Sequence, residues 1–200
     1  MEQIRSFIAI ELPEEVKAGL AELQARLKSG MQPPVKWVDP YVIHLTLKFL
    51  GNIAVDKIAA ITRAMEEAAQ ETPPFQLKVK DTGVFPNLRR VQVVWVGING
   101  EMDKLSQLQH RIELNLVPLG FAPESRPFAP HLTLARLRDR ASPEERQKFG
   151  QLIADTELEA VYTVKVDSIN LMKRQLTREG AIYHKICSVK LNKSLSANTI

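Results

Sequence analysis

The chain has 200 residues, 44% hydrophobic and 25% charged, and its 27 Lys and Arg against 23 Asp and Glu give a net charge of +4. This is ordinary globular composition, enough for one large domain or two small lobes around a shared core. It excludes an internal disulfide, because Cys187 is the only cysteine. It also excludes a helical membrane span, because the longest apolar run, near residues 91–98, falls far short of the ~20 residues needed.

The first residues, Met1 to Arg5, lack the basic, then apolar, then small-residue layout of a signal peptide, and a cytoplasmic location is expected. Residues 5–12 read as a strand. Pro13-Glu14-Glu15 starts a helix, since Pro suits the first turn and acids suit the positive end of the dipole. Val16, Leu20, Leu23 and Leu27 keep helical spacing until Gly30 and Pro33-Pro34. A short strand at 35–38 and the turn Asp39-Pro40 lead into a strand at 42–50, closed by Gly51-Asn52. An Ala-rich helix follows over 56–70. Residues 75–81 alternate as a strand, 83–90 read as a loop, and 91–98 form the most apolar strand, ended by the turn signal Asn99-Gly100.

The third helix covers 101–116, with Leu105, Leu108, Ile112 and Leu116 on its core face and His110 as a surface or partly packed residue outside the site. A loop at 118–127 precedes a strand at 128–137. Ser142-Pro143-Glu144-Glu145 is a capped helix start, and that helix runs to about residue 154. Strands at 161–171 and 181–191, joined by a polar loop, complete the chain. His184 and Cys187 are structural residues of the last strand. Residues 192–200 are polar and expected to fray.

Within this layout one tetrapeptide occurs twice: His44-Leu45-Thr46-Leu47 and His131-Leu132-Thr133-Leu134, separated by 131 − 44 = 87 residues. In a strand, alternate side chains share a face. Each copy therefore presents an imidazole and a hydroxyl roughly 6–7 Å apart over an apolar backing. One such tetrapeptide arises easily by chance; two matter if they occupy equivalent places in a duplicated fold. The same shift of 87 lays Phe7-Ile8-Ala9-Ile10 on Val94-Trp95-Val96-Gly97, and Phe75-Gln76-Leu77-Lys78-Val79 on Tyr162-Thr163-Val164-Lys165-Val166. Two related halves about a pseudo-two-fold axis would bring both motifs to one cleft. The expected fold is α+β: a single bilobal domain over 1–191, two antiparallel-rich sheets lining a central cleft, helices outside. The strand at 91–98 ends one half and starts the next, so the halves share or exchange strands.

The chain resembles the two-histidine (2H) phosphoesterase superfamily, and within it the RNA 2′,3′-cyclic phosphodiesterases once named 2′-5′ RNA ligases. The stretches that carry the resemblance are Arg5-Ser6-Phe7-Ile8-Ala9-Ile10, Lys36-Trp37-Val38, both His-x-Thr-x motifs, Gly83-Val84-Phe85-Pro86, Val94-Trp95-Val96-Gly97 and Leu171-Met172-Lys173 with the residues after it. It covers about residues 3–190.

The residues themselves suit opening of a cyclic phosphodiester. Water must lose a proton and the leaving ribose oxygen must gain one. An imidazole pKa near 6.5 lets one histidine be neutral and the other protonated near neutral pH. Thr46 and Thr133 can donate to the non-bridging oxygens. No metal or other cofactor is needed. The two motifs are identical, so the residues alone do not assign the roles; the resemblance implies His44 as proton donor and His131 as proton acceptor. It also implies an RNA substrate with a 2′,3′-cyclic phosphate end, a 2′-phosphate product and a weak reversible 2′-5′ ligase activity. A monomer is expected.

Arg136 could hold phosphate or a base, but strict alternation turns it away from His131 unless the strand carries a bulge. Lys48, Arg89, Arg90, Arg126, Arg138, Lys173 and Arg174 are further basic residues near the motifs. Trp37, Phe49, Phe85 and Phe128 are stacking candidates, against plain core packing. Three rival readings stay open: a metal site on the two histidines, a non-catalytic RNA or nucleotide binder, and a relative acting on another cyclic phosphate or a 2′-5′ oligonucleotide.

Overall fold

A computed structural model describes residues 2–30, 33–158, 160–177 and 181–192. Its elements are β1 (Gln3–Glu11), α1 (Glu14–Ser29), β2 (Val35–Trp37), β3 (His44–Ala54), α2 (Ile58–Gln70), β4 (Phe75–Phe85), β5 (Val93–Gly100), α3 (Met102–Leu116), β6 (His131–Leu137), α4 (Pro143–Ala154), β7 (Tyr162–Val166), β8 (Ser168–Leu176) and β9 (Ala181–Lys190). Single 3-10 turns at Pro40–Val42, Val55–Lys57 and Val117–Leu119 lie between them.

The fold is α+β with two antiparallel sheets, ordered β3-β1-β8-β9 and β2-β6-β5-β4-β7. Helices cover one face of each. α2 packs on β8 and β9, α3 on β3, and α4 on β4. Local sequence sets their ends. Glu14 and Glu15 open α1, and Arg26 and Lys28 close it. Ser142 and Glu145 form a reciprocal capping box on α4. Beneath the helices, one buried apolar cluster joins Ile8, Ile10, Leu45, Leu47 and Leu171 of the first sheet to Val94, Val96, Leu132 and Leu134 of the second. A small separate cluster of Phe7, Ala9 and Met172, with Tyr183 against it, lies on the uncovered face of the first sheet.

The halves exchange strands. The first half's β4 pairs with β5 of the second, and the second half's β8 pairs with β1. β4 also pairs with β7, placing Leu77 opposite Val164. Those two residues are 164 − 77 = 87 apart, the spacing of the motifs. Since partners on either side of this pair are related by the same shift, a local two-fold axis passes through it.

Four expectations are corrected. The single strand at 161–171 is two strands in different sheets, β7 and β8. Burial slips phase between them: Val164 and Val166 are buried, then Ile169 and Leu171, so the chain changes sheets near Asp167. β8 continues to Leu176, because Met172 and Arg174 still pair with β1. β4 extends through Gly83 to Phe85 instead of entering a loop, because Trp95 lies flat over Gly83, where a Cβ would overlap its ring. β3 does not close at Gly51-Asn52; Gly51 takes φ +70 and the ladder with β1 resumes to Ala54. Residues 178–180 of the polar loop and the tail at 193–200 lie outside the described residues.

Candidate active site

His44 and His131 are each the first residue of their strand. β3 follows the 3-10 turn at Pro40–Val42 and β6 follows a loop, yet each imidazole folds back on the carbonyl two residues earlier. The His44 Nδ1 lies 3.0 Å from the Val42 carbonyl oxygen, and the His131 Nδ1 lies 2.7 Å from that of Ala129. A carbonyl only accepts, so Nδ1 carries the hydrogen in both rings. That fixes the tautomer and leaves Nε2 as the free ring nitrogen, which can accept a proton when the ring is neutral and give one when it is protonated.

Both motif strands then bulge at the same place. On β3 the register jumps from Ala9↔Thr46 to Ile8↔Lys48, passing Leu47; on β6 it jumps from Trp95↔Thr133 to Val94↔Ala135, passing Leu134. A bulge inserts one residue and reverses the alternation beyond it. Burial over residues 44–50 and 131–137 accordingly follows one pattern: the His and Thr open, the next pair buried, then one exposed residue. That exposed residue is Phe49 in the first copy and Arg136 in the second. Arg136 therefore shares the His131–Thr133 side of its strand, through the bulge that its proposed role required. Neither threonine hydroxyl has a protein partner among the described residues.

The motif strands lie against each other across the two sheets. A buried side chain from α1 ties their backbones: Gln24 Nε2 donates to the Val38 carbonyl at 2.7 Å and the Leu134 carbonyl at 3.1 Å. The Val38 amide donates to the same Leu134 carbonyl at 2.9 Å. The segment that leads into His44 is thus pinned to the bulge residue of the other motif. Sequence reading passed over Gln24; its only signal is a polar residue inside an apolar helical stripe.

The histidine surroundings differ. The His44 ring stacks on Phe7 at 4.5 Å between centroids, and Tyr183 meets it edge-on at 5.2 Å. Burial there pushes the His44 pKa below its usual value, against the opposing pull of the Val42 hydrogen bond and the Glu11 carboxylate. His131 meets the Phe85 edge at 5.1 Å. Across the ladder from Thr133, the Trp95 Nε1 is buried without a hydrogen-bond partner, as are Asn170 Oδ1 and Arg174 Nε on the uncovered face of the first sheet. Buried polar atoms are normally paired; these three, with the Ser6 Oγ on the covered side of β1, have no protein partner among the described residues.

The other candidates divide. Phe49 is 70% exposed, against the core-packing expectation, and Phe85 flanks His131. Trp37 packs edge-on to Phe149 at 6.2 Å and Phe128 packs against the core. Lys48 points away from the motif into a buried ion pair with Glu113 at 2.6 Å, and it also donates to the Ala122 carbonyl. Lys173 sits opposite Ser6 on the covered side of β1, while Arg174 shares the side of Met172 and Phe7. Arg89, Arg90, Arg126 and Arg138 are exposed in loops. Cys187 packs with its sulfur 3.2 Å from the Thr62 hydroxyl. Among the described residues, no three His, Cys, Asp or Glu side chains come together, and no helix is long and apolar enough to cross a membrane.

An α+β fold with two exchanged halves and a His–Thr pair on each of two equivalent bulged strands is a duplicated phosphoesterase architecture. The family described as LigT like Phosphoesterase matches twice, over residues 10–95 and 96–183, and the chain belongs to it. A Methanothermobacter thermautotrophicus protein named RNA 2′,3′-cyclic phosphodiesterase is 33% identical over 181 residues, 90% of this chain and 95% of that one. Among solved structures, E. coli LigT complexed with 3′-AMP superposes with a TM-score of 0.77 at 26% identity, covering 96% of this chain and 99% of the other. A Thermus thermophilus protein of solved structure gives 0.75 at 26% identity, covering 96% and 100%.

Proposed function

We propose that the protein hydrolyses the 2′,3′-cyclic phosphodiester end of RNA to a 2′-phosphate end by metal-independent acid–base catalysis on two histidines. One observation carries this reading: each imidazole is anchored through Nδ1 on the carbonyl two residues before it, and its Nε2 is free on a strand that also carries a threonine two residues on. The relatives' name for their substrate, RNA 2′,3′-cyclic phosphate, supports the choice of ligand.

In this mechanism water attacks phosphorus opposite the 3′ oxygen. His131 Nε2 takes the water's proton, the P–O3′ bond breaks, and His44 Nε2–H delivers a proton to the departing 3′ oxygen. Thr46 and Thr133 donate to the non-bridging oxygens, where negative charge gathers. Phe49 and Arg136 occupy equivalent exposed positions beyond the two bulges, and they offer a stacking face and a cation to the terminal nucleotide. With a 5′-hydroxyl in place of water, the same transfers make a 2′-5′ linkage, a secondary activity. The burial that lowers the His44 pKa opposes a donor role in the empty cleft, and the phosphate's negative charge is what restores its proton. We place the enzyme, as a monomer, in the cytoplasm; a single unpaired cysteine suits a reducing compartment.

The test is hydrolysis of a nucleoside 2′,3′-cyclic phosphate in excess EDTA, with the product's phosphate position read by phosphorus NMR. A 2′-phosphate formed at an undiminished rate is the expected result. A 3′-phosphate product, or loss of activity with EDTA, would overturn the mechanism. Turnover of a different cyclic phosphate alone would move the reading to another substrate.

A further inference from the structure

The uncovered face of the first sheet extends well beyond the motif. Residues directly opposite each other in a ladder share a face, so the cross-strand pairs form rows. Glu11 and His44 make one row; Thr46, Ala9 and Asn170 the next; then Phe49, Phe7 and Met172; then Asn52, Arg5, Arg174 and Tyr183. The last row sets two arginines directly against each other on neighbouring strands. Like charges so placed destabilise a sheet. Neither has an ion-pair partner among the described residues, and the row contains no carboxylate. The carboxylate of Glu11, the acidic residue of β1 on this face, is already held by Lys185 at 2.5 Å and by the Asn170 amide at 3.2 Å. Arg174 Nε is buried and unpartnered, so part of that guanidinium has been taken from water with nothing in exchange.

Two guanidiniums on one cross-strand pair offer forked donors that match the oxygens of a phosphate. They lie on the face that carries His44 and Thr46. Ala9 to Arg5 spans four residues of β1, roughly 13 Å, about two nucleotide spacings of an extended single strand. Exposed Phe49 and buried Phe7 fill the row between.

We infer that Arg5 and Arg174 bind an internucleotide phosphate of the RNA chain, upstream of the reacting cyclic phosphate, so that the protein is built for polynucleotide ends over mononucleotides. This rests on the activity proposed above and specifies its substrate. The site adds binding to the longer chain only; it touches no reacting atom.

The experiment compares kcat/KM for a nucleoside 2′,3′-cyclic phosphate with that for a ten-nucleotide single-stranded RNA bearing the same end, using wild type, R5Q, R174Q and the double variant. Wild type should prefer the RNA. Each single variant should lose about tenfold on the RNA, leave the mononucleotide unchanged, and reduce the slope of log kcat/KM against log salt by about 0.7. Melting temperatures should hold or rise, since removing either charge relieves the repulsion. Equal losses on both substrates, or no loss on the RNA, would overturn the inference. If wild type turns over neither, the activity itself fails. Fluorescence anisotropy with the same RNA carrying a 2′-phosphate then judges the arginines alone: tenfold weaker binding by R174Q sustains the phosphate site, and unchanged binding removes it.

Discussion

The two motif strands have one backbone and two environments. Both begin at the histidine, both anchor its Nδ1 on the carbonyl two residues back, and both bulge one residue after the threonine. The leucines behind them are also the same, and the difference lies in the side chains beside and beyond the threonines. Ala9 faces Thr46 where Trp95 faces Thr133; Lys48 occupies the place of Ala135; Phe49 occupies that of Arg136. His44 lies between Phe7 and Tyr183, while His131 has the edge of Phe85. Backbone geometry is what holds two imidazoles alike, and substitution around it is what can make one an acid and the other a base. A symmetric catalyst would need no such divergence; a reaction with one entering and one leaving oxygen does.

The largest effect should come from the feature the two strands share. His44→Ala and His131→Ala should each reduce kcat by about 10²–10⁴ on the cyclic phosphate. Melting temperature should move little for His131→Ala and further for His44→Ala, which also loses the stack on Phe7. Stopped assays on both variants check this. If one variant retained near wild-type turnover, the two motifs would not act as a pair, and the comparison would reduce to one working site and one relic.

The next effect separates the strands. The Lys48–Glu113 pair is 7% and 8% exposed, and Glu113 also accepts from Gln109 and from the Glu124 amide. Lys48→Ala copies the residue that the second motif has at this place. It leaves a buried carboxylate without its counter-charge and should cost about 3–5 kcal/mol of stability in urea unfolding. Lys48→Met with Glu113→Leu should recover most of that loss. A single variant of normal stability would mean that the pair only decorates the back of the motif strand and does not fix the loop leading to His131.

A smaller effect is expected at the exposed position beyond each bulge. Phe49→Ala should weaken substrate binding, read as a higher KM, by about 1–3 kcal/mol of lost stacking, with little salt dependence. Arg136→Ala should raise KM by a similar amount, and the loss should shrink at high salt, because a cation's attraction to phosphate is screened. Steady-state kinetics at two ionic strengths distinguish the two. Matching salt dependence in both variants would erase the division of labour between ring and charge.

How much of this was legible in the sequence follows from which forces write a local pattern. The two His-x-Thr-x copies, the helices with their caps, and the exchange of halves follow from alternation, spacing and a repeat of 87. The bulges do not: Leu47 and Leu134 interrupt no apolar pattern, since the residue after each is also buried, Lys48 by its ion pair and Ala135 by packing. For that reason Arg136 reads as facing the wrong way and Phe49 as core. The split near Asp167 leaves a trace, the missed beat between Val166 and Ile169, but two strands in different sheets become visible only when their partners are known. Gln24 and Glu113 act through partners 110 and 65 residues away, beyond the reach of any local pattern.

The smallest effect tests the inequality of the two histidines through protons. Burial lowers the His44 pKa from 6.5. The unfolded chain takes up that proton near 6.5, and the folded one only at lower pH, so between those values the unfolded state holds more protons. Stability therefore falls as pH drops from above 6.5 toward the folded pKa, and stops falling below it. His44→Asn should flatten that part of the profile, measured by urea unfolding from pH 7.5 to 5. NMR titration of the His44 ring with inorganic phosphate adds the functional half. If His44 delivers the proton, bound phosphate must raise its pKa toward or above the ordinary value, since an anion favours the charged ring. A ring that stays neutral with phosphate in place can only accept, and the donor role would pass to His131.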